Sequence, residues 1–186
     1  MVIDPDIAAL QFKLSDSYRE TGNLSGALKS TLQAQQVYEG LKDDYFFLCC
    51  LERTGMINSL MGNTAKAAEN YEELNHRAQE LCFSYPTEQG YKRLLGASFE
   101  KLGEMHAHAG DREKGLYNFE LMLQAFRELT AAYPDDDDNI VRLATGCSKV
   151  GYAYKQLDRL QEANELFEEG LSLFGNCLKG IKAITL

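Results

Sequence analysis

The amino-acid sequence predicts an all-α fold, an α-solenoid of about eight helices paired into four antiparallel hairpins. Three observations predict it. A spacing of basic, glycine and small residues recurs along the chain. The 186 residues include only 3 prolines, which suits long helices because proline breaks a helix interior. Hydrophobic residues make up 45% and charged residues 25%, as in folded and not in disordered chains.

The recurring spacing defines four units. Residues 52–67 read ERTGMINSLMGNTAKA, and the stretches EKLGEMHAHAGDREKG and SKVGYAYKQLDRLQEA follow at successive shifts of 48 residues. A shift of 40 residues relates the second unit to a shorter N-terminal one. Self-similarity at a fixed period is the sequence signature of stacked repeats. We predict one repeat domain with units at about 5–42, 45–85, 87–133 and 135–174, and a C-terminal tail or capping segment at 175–186.

Small residues at fixed places predict how each hairpin closes. The first helix of a unit carries glycine at the same position three times, and serine once: Gly55, Gly103, Gly151 and Ser15. Glycine inside a helix costs up to about 1 kcal/mol relative to alanine, so its recurrence indicates a close approach of the second helix. The second helices carry matching small residues: Ala27, Ala67, Gly115 and Ala163.

Capping signals set the predicted helix boundaries. Asp4 is expected to cap the first helix, with Pro5 at its first position, and the acidic run PDDDD at 134–138 is expected to cap the seventh. Glycines followed by Asn or Asp predict left-handed helix stops: Gly22, Gly62 and Gly110. The fourth unit has no such glycine, which leaves its turn geometry open, and Gly175 is predicted to end the last helix. The predicted helices are 5–20, 25–41, 45–61, 64–84, 87–109, 112–132, 136–156 and 160–174.

These units resemble the tetratricopeptide repeat (TPR), whose pattern is W-x2-L-G-x2-Y, then A-x3-F, then P. The third unit reads FEKLGEMH and then GLYNF, and the fourth reads CSKVGYAY and then ANELF. The resemblance covers residues 8 to 174 and implies a right-handed superhelix with a concave, peptide-binding groove. The period of 48 or 40 residues exceeds the usual value of about 34. Seven extra residues in each arm are about two helical turns, which predicts an extended-repeat variant.

Bulk composition restricts the class of partner and the compartment. The net charge of −9 argues against a nucleic-acid partner, because binding to phosphate backbones needs clustered Lys and Arg. No apolar run approaches the roughly 18 residues of a membrane span, and the sequence has no signal-peptide pattern. The five cysteines, without a C-x-x-C motif, are expected to be reduced and mostly buried. We therefore predict a cytoplasmic protein with no membrane partner.

Candidate catalytic and metal-binding motifs give no positive prediction. His106 and His108 are two residues apart on a predicted helix, so their rings point in different directions and cannot chelate one ion. The PDDDD run lacks the central glycine and terminal glutamate of an EF-hand. No nucleotide-binding, serine-hydrolase or zinc-protease motif occurs. We therefore predict a protein that is not an enzyme and uses no cofactor and no metal.

One basic residue per unit forms the sharpest candidate site. These residues precede the glycine or serine position by two: Lys13, Arg53, Lys101 and Lys149. The TPR resemblance implies that this position faces the concave groove, where a column of cations would suit an acidic or carboxylate-ended ligand. Neighbours on the same face complete the predicted ligand-binding set: Asp16, Met56, Glu104 and Tyr152. The alternative is that the cations pair within the chain, Lys13 with Asp16 and Lys101 with Glu104.

The predicted function is a non-enzymatic interaction module that binds a peptide or helix of another protein in the groove of a TPR solenoid. The alternative is a small TPR chaperone that shields an apolar segment of its cargo. The last unit of such an array has an uncovered apolar face, so a homodimer through the C-terminal end is also possible.

Overall fold

The computed structural model describes residues 4–184, and the side chains of residues 4–175. Within that range the chain forms eight α-helices and no β-strand, which confirms the predicted all-α fold. The helices are α1 (Pro5–Glu20), α2 (Leu24–Leu41), α3 (Asp44–Leu60), α4 (Thr64–Ser84), α5 (Gln89–His108), α6 (Arg112–Ala132), α7 (Asp137–Gln156) and α8 (Leu160–Ile184).

The chain divides into two compact units whose boundary lies inside α5, at Leu94 and Leu95. In the first unit α1 packs on α2, α2 on α3, and α3 on α4. In the second unit α6 packs on α7, and α7 on α8. Each unit thus alternates the first and second helices of successive hairpins. The assignment of the whole chain to one repeat domain stays a prediction.

Side-chain caps and left-handed residues begin and end the helices. The Asp4 carboxylate accepts a hydrogen bond of 2.9 Å from the Asp6 backbone N–H, and Pro5 follows the cap. Asp136 caps α7 by accepting from two backbone N–H groups, as the PDDDD run predicted. The predicted glycine stops are confirmed, since Gly22, Gly62 and Gly110 have φ of 78°, 78° and 87°. In the fourth hairpin, Asp158 supplies the left-handed residue with φ of 57°.

The predicted end of the last helix at Gly175 is wrong, because α8 continues through this residue to Ile184. Glycine stops a helix when it adopts a left-handed conformation, and Gly175 does not adopt one. A helical glycine costs only up to about 1 kcal/mol, which the helix tolerates here. The predicted tail or capping segment is therefore helical as far as Ile184. Its side chains from residue 176 onward lie outside the described part of the chain.

An aromatic ring lies over the recurring glycine in three hairpins. A Cβ atom on Gly103 would lie 2.7 Å from Cε1 of Phe119, and one on Gly151 would lie 2.8 Å from Cε1 of Phe167. Gly55 has the same relation to Tyr71. No real side chain tolerates such distances, so glycine is what allows the two helices to approach. The predicted close approach within each of these hairpins is confirmed.

Apolar side chains from three helices form the core of the second unit. The buried cluster consists of Leu116, Phe119, Met122, Leu123, Phe126, Leu129, Leu143, Cys147, Val150 and Leu166. The residues up to Leu129 belong to α6, and α7 and α8 supply the others. Helix α7 is therefore covered by α6 on one side and by α8 on the other.

Candidate functional site

The four predicted basic positions lie on the first helices of the hairpins, two in each unit. In the first unit Lys13 lies on α1 and Arg53 on α3. In the second unit Lys101 lies on α5 and Lys149 on α7. The two pairs have different surroundings, which decide how much charge each cation offers to a ligand.

In the first unit, Arg53 reaches from α3 to α1. Its Nη1 lies 3.0 Å from Oδ2 of Asp16 and donates a hydrogen bond of 2.6 Å to the Phe12 carbonyl oxygen. The guanidinium carbon lies 3.4 Å from the centroid of the Phe12 ring, a cation–π contact. Asp16 also pairs with Arg19 at 3.4 Å. Lys13 is exposed, and the pairs observed for Asp16 are with these two arginines and not with Lys13.

In the second unit, two lysines and two glutamates form a network between α5 and α7. Nζ of Lys149 lies 2.6 Å from Oε1 of Glu104 and 3.0 Å from Oε1 of Glu100. Nζ of Lys101 lies 2.9 Å from Oε2 of Glu104, so the alternative pairing considered for Lys101 is present. Two positive and two negative charges make the network neutral as a whole.

The two arrangements are the same contact in two units. After the repeat shifts, Arg53 corresponds to Lys149, while Phe12 and Asp16 correspond to Glu100 and Glu104. In each unit a cation on one first helix contacts these two positions on the preceding first helix. We call this contact the inter-helix brace. The basic position thus links consecutive hairpins within a unit, whatever else it binds.

The electrostatics of the brace favour the charged forms of its members. Burial by itself would raise the pKa of Glu104, but the hydrogen bonds from Lys149 and Lys101 outweigh it and hold the pKa below its ordinary value. Burial would lower the pKa of Lys149, but its hydrogen bonds to Glu104 and Glu100 raise it. The network is therefore ionised throughout the neutral pH range.

The remaining predicted ligand residues, Met56 and Tyr152, share one repeat position with Asp16 and Glu104. Met56 is half-buried on α3. Tyr152 lies on α7 with 58% of its surface exposed. On the first helices, this position therefore holds a carboxylate in two units and an accessible apolar or aromatic side chain in the other two.

The described residues offer little for catalysis. They contain no group of three or more His, Cys, Asp or Glu side chains placed to hold a metal ion. Burial raises the pKa of the Cys49, Cys50 and Cys147 thiols to about 11, 12 and 11. These thiols are protonated near neutral pH and are therefore poor nucleophiles. Cys49 and Cys82 are half-buried, Cys50 and Cys147 are buried, and the side chain of Cys177 lies outside the described part.

None of the helices, searched over the described residues, combines the length and the apolar character that a membrane crossing requires. Sequence reasoning found the basic positions but missed the inter-helix brace. The signal was present, because the cation and its partners each recur in register, but spacing within a single helix does not display a contact between two helices.

No protein-family model and no curated protein matches the chain. Its structure is similar to that of BtubC (BKLC) from P. vanneervenii, with a TM-score of 0.73 and 16% identity over 93% of this chain. This chain spans about two thirds, 65%, of the length of that BtubC chain. It is also similar to a putative kinesin light chain from Podospora anserina with nearly identical TPR-like repeats. There the TM-score is 0.60 and the identity 16%, over 95% of this chain and 79% of the other.

At this level of identity the likeness shows the fold alone. It agrees with the four hairpins and with the glycine–aromatic packing between their helices. The chain therefore has an all-α helical repeat fold of the TPR type, which in general serves as a scaffold for protein–protein interaction.

Proposed function

We propose that this chain is a non-enzymatic interaction module that holds a peptide or helix of another protein against the first helices of its hairpins. We further propose that the bound segment is acidic. The net charge of −9 repels phosphate backbones, so the proposed partner is a protein and not a nucleic acid.

The observation that carries the proposal is the recurrence of a partly exposed cation at one register of the first helices. In the second unit the side chains of Lys101 and Lys149 are 29% and 31% exposed. An ammonium group has three N–H donors, and Lys149 uses two of them on Glu100 and Glu104. A third donor is left for a carboxylate of a ligand, in a charge-assisted hydrogen bond.

The inter-helix brace limits what each cation can contribute. Since the glutamates already neutralise the two lysines, a ligand carboxylate gains less there than from an unpaired cation. Binding therefore needs several weak contacts at once, including apolar ones with Met56 and Tyr152. Exposed charge–charge contacts are screened by salt, so the affinity should fall as the ionic strength rises.

The test is a selection of binding peptides from a random display library, with the immobilised chain as bait. We expect the selected peptides to be enriched in Asp and Glu, and their affinity to fall between about 50 and about 500 mM NaCl. Tyr152→Ala should weaken their binding. Tyr117→Ala is the matched control, because Tyr117 is 61% exposed but lies on the second helix α6.

Two outcomes contradict the proposal. Equal binding by the wild type and Tyr152→Ala would show that the ligand does not touch this face. Selection of apolar, uncharged peptides whose binding ignores salt would instead support the chaperone alternative, in which the chain shields an apolar segment of its cargo.

A further inference from the structure

An apolar stripe runs along the exposed face of α1. It consists of Ile7, Leu10 and Leu14, at the helical spacing i, i+3 and i+7, and Leu10 is 66% exposed. Side chains at this spacing share one face of a helix. Three exposed, adjacent aliphatic side chains form a patch that favours contact with another apolar surface.

The repeat register shows what this stripe does elsewhere in the chain. The corresponding residues on later first helices are Phe47, Cys50 and Thr54 on α3, and Leu143, Gly146 and Val150 on α7. All six are buried. The face that α1 exposes is therefore a face that α3 and α7 bury.

In the second unit, the helix that covers this face is α6. A Cβ atom on Gly146 would lie 3.2 Å from Cδ1 of Leu123 and 3.5 Å from Cδ2 of Phe126. Leu143 and Val150 belong to the same buried cluster as these two residues. A first helix thus uses this face to pack against the second helix of the preceding hairpin.

Helix α8 exposes the complementary surface. A shift of 48 residues places Leu171 at the position of Leu123, and Phe174 at the position of Phe126. Leu123 and Phe126 are 4% and 3% exposed, whereas Leu171 and Phe174 are 72% and 40% exposed. The side chains that α6 buries against α7 are therefore accessible on α8.

We propose that copies of this chain associate head to tail, with α8 of one copy packing on α1 of the next in the register of α6 on α7. Leu171 and Phe174 of one copy contact Ile7, Leu10 and Leu14 of the other. The partner is a second copy because the two exposed faces are the two halves of a junction that the chain already builds internally. Contacts of α1 with α1, or of α8 with α8, would join faces that are not joined in either unit.

The register leaves room for the side chain of Leu10. On α7 the corresponding residue is Gly146, but on α3 it is Cys50, which is fully buried in the first unit. The junction between a second and a first helix therefore accepts a side chain at this position. Leu10 fills it in the contact between two copies.

This contact is heterologous, so each pair retains one free head and one free tail and can add further copies. The average mass should therefore rise steadily with protein concentration. Each copy carries a net charge of −9, and the resulting repulsion is screened by salt. Association should accordingly strengthen with added NaCl, the opposite of the salt dependence expected for an acidic ligand.

The test is sedimentation velocity of the 186-residue chain between about 5 and about 500 µM, where mass action drives a weak association. Leu10→Glu blocks the head and Leu171→Glu blocks the tail, and we expect each variant alone to be a monomer. An equimolar mixture should form a one-to-one dimer, because the intact tail of the first variant meets the intact head of the second. Leu32→Glu is the control, since Leu32 is an exposed leucine on α2, and it should associate like the wild type.

Circular dichroism of each variant checks that the exposed substitution leaves the helices intact. A wild-type chain that stays monomeric over the whole concentration range would overturn the proposal, as would a mixture that stays monomeric. A dimer formed by either variant on its own would show a symmetric contact, which also overturns it.

Discussion

The hydroxyl groups of Ser15 and Thr31 lie 2.7 Å apart between α1 and α2, at the two positions where the other three hairpins place a glycine against an aromatic ring. Both residues are buried. Thr31 also donates a hydrogen bond of 3.0 Å to the Ala27 carbonyl oxygen, so Ser15 is the donor to Thr31. The first hairpin thus replaces a steric fit with a hydrogen bond at the same place.

We expect these two positions to be energetically coupled. Thr31→Phe alone should destabilise the chain by about 1–3 kcal/mol, because the ring overpacks against the Ser15 side chain. Ser15→Gly alone should also destabilise it, since it removes a hydrogen bond and leaves a small cavity. The double variant recreates the pair found in the other hairpins and should recover part of both losses. Urea unfolding of the four proteins measures the coupling free energy.

Additive losses in this cycle would show that the glycine–aromatic pair of the other hairpins cannot be transferred to α1 and α2. The control is a second cycle on Ser15→Gly and Thr145→Val. Thr145 lies on α7 in the second unit and donates only to the Val141 carbonyl oxygen, so independent, additive effects are expected there.

The sequence predicted contacts inside a hairpin better than contacts between hairpins. The recurrence of Gly103 and Gly151 was enough to predict a close helix pair, because a glycine that weakens its own helix recurs only where a neighbouring helix leaves no room for a side chain. The pairing of Lys149 with Glu104 depends on how two helices are rotated about their axes, which packing decides and spacing along one helix does not. The end of α8 was missed for a local reason, since a glycine such as Gly175 fits both a helix interior and a left-handed stop.

The glycine–aromatic contact can be tested directly with Gly103→Ala. The added Cβ would lie 2.7 Å from the Phe119 ring and 3.1 Å from the Gly115 carbonyl oxygen, so Phe119 and the backbone of α6 must shift. We expect a loss of about 1–3 kcal/mol in the free energy of unfolding, measured in urea. Gly175→Ala is the matched control. It is also helical, has no atom within 4 Å of the added Cβ, and should gain up to about 1 kcal/mol.

Equal effects of the two alanine substitutions would mean that helix propensity, and not the contact with the ring, decides the cost at Gly103. The fold would then tolerate a side chain at the closest approach of α5 and α6. Steric fit would no longer account for the recurrence of glycine in the first helices.

The buried thiols should resist modification in the folded chain. Because burial raises the pKa of Cys49 and Cys147 to about 11 and of Cys50 to about 12, almost no thiolate is present at about pH 8. We expect these three residues to react with a thiol reagent only after unfolding in urea, as identified by mass spectrometry of the peptides. Rapid labelling of Cys50 in the native chain would show that α3 opens on the timescale of the reaction.

The inter-helix brace should make part of the stability depend on acid pH through Glu104. Its pKa lies below the ordinary value of 4.5 in the folded chain, so its charged form stabilises the fold above that value. This contribution is lost as the pH falls through the folded-state pKa. Glu104→Gln should therefore cost on the order of 1 kcal/mol near neutral pH, since Glu104 is partly exposed. The difference from the wild type should shrink as the pH falls below about 4.5.

Urea unfolding of both proteins at several values between about pH 3 and about pH 7 measures this difference. Glu73→Gln is the control, because Glu73 pairs with Arg77 on the same helix, α4, where both side chains are more exposed. A pair of that kind is worth only about 0.3–0.5 kcal/mol. If Glu104→Gln cost no more than this control at neutral pH, the four charges would not hold α5 to α7. The recurrence of the cation would then be due to a ligand alone.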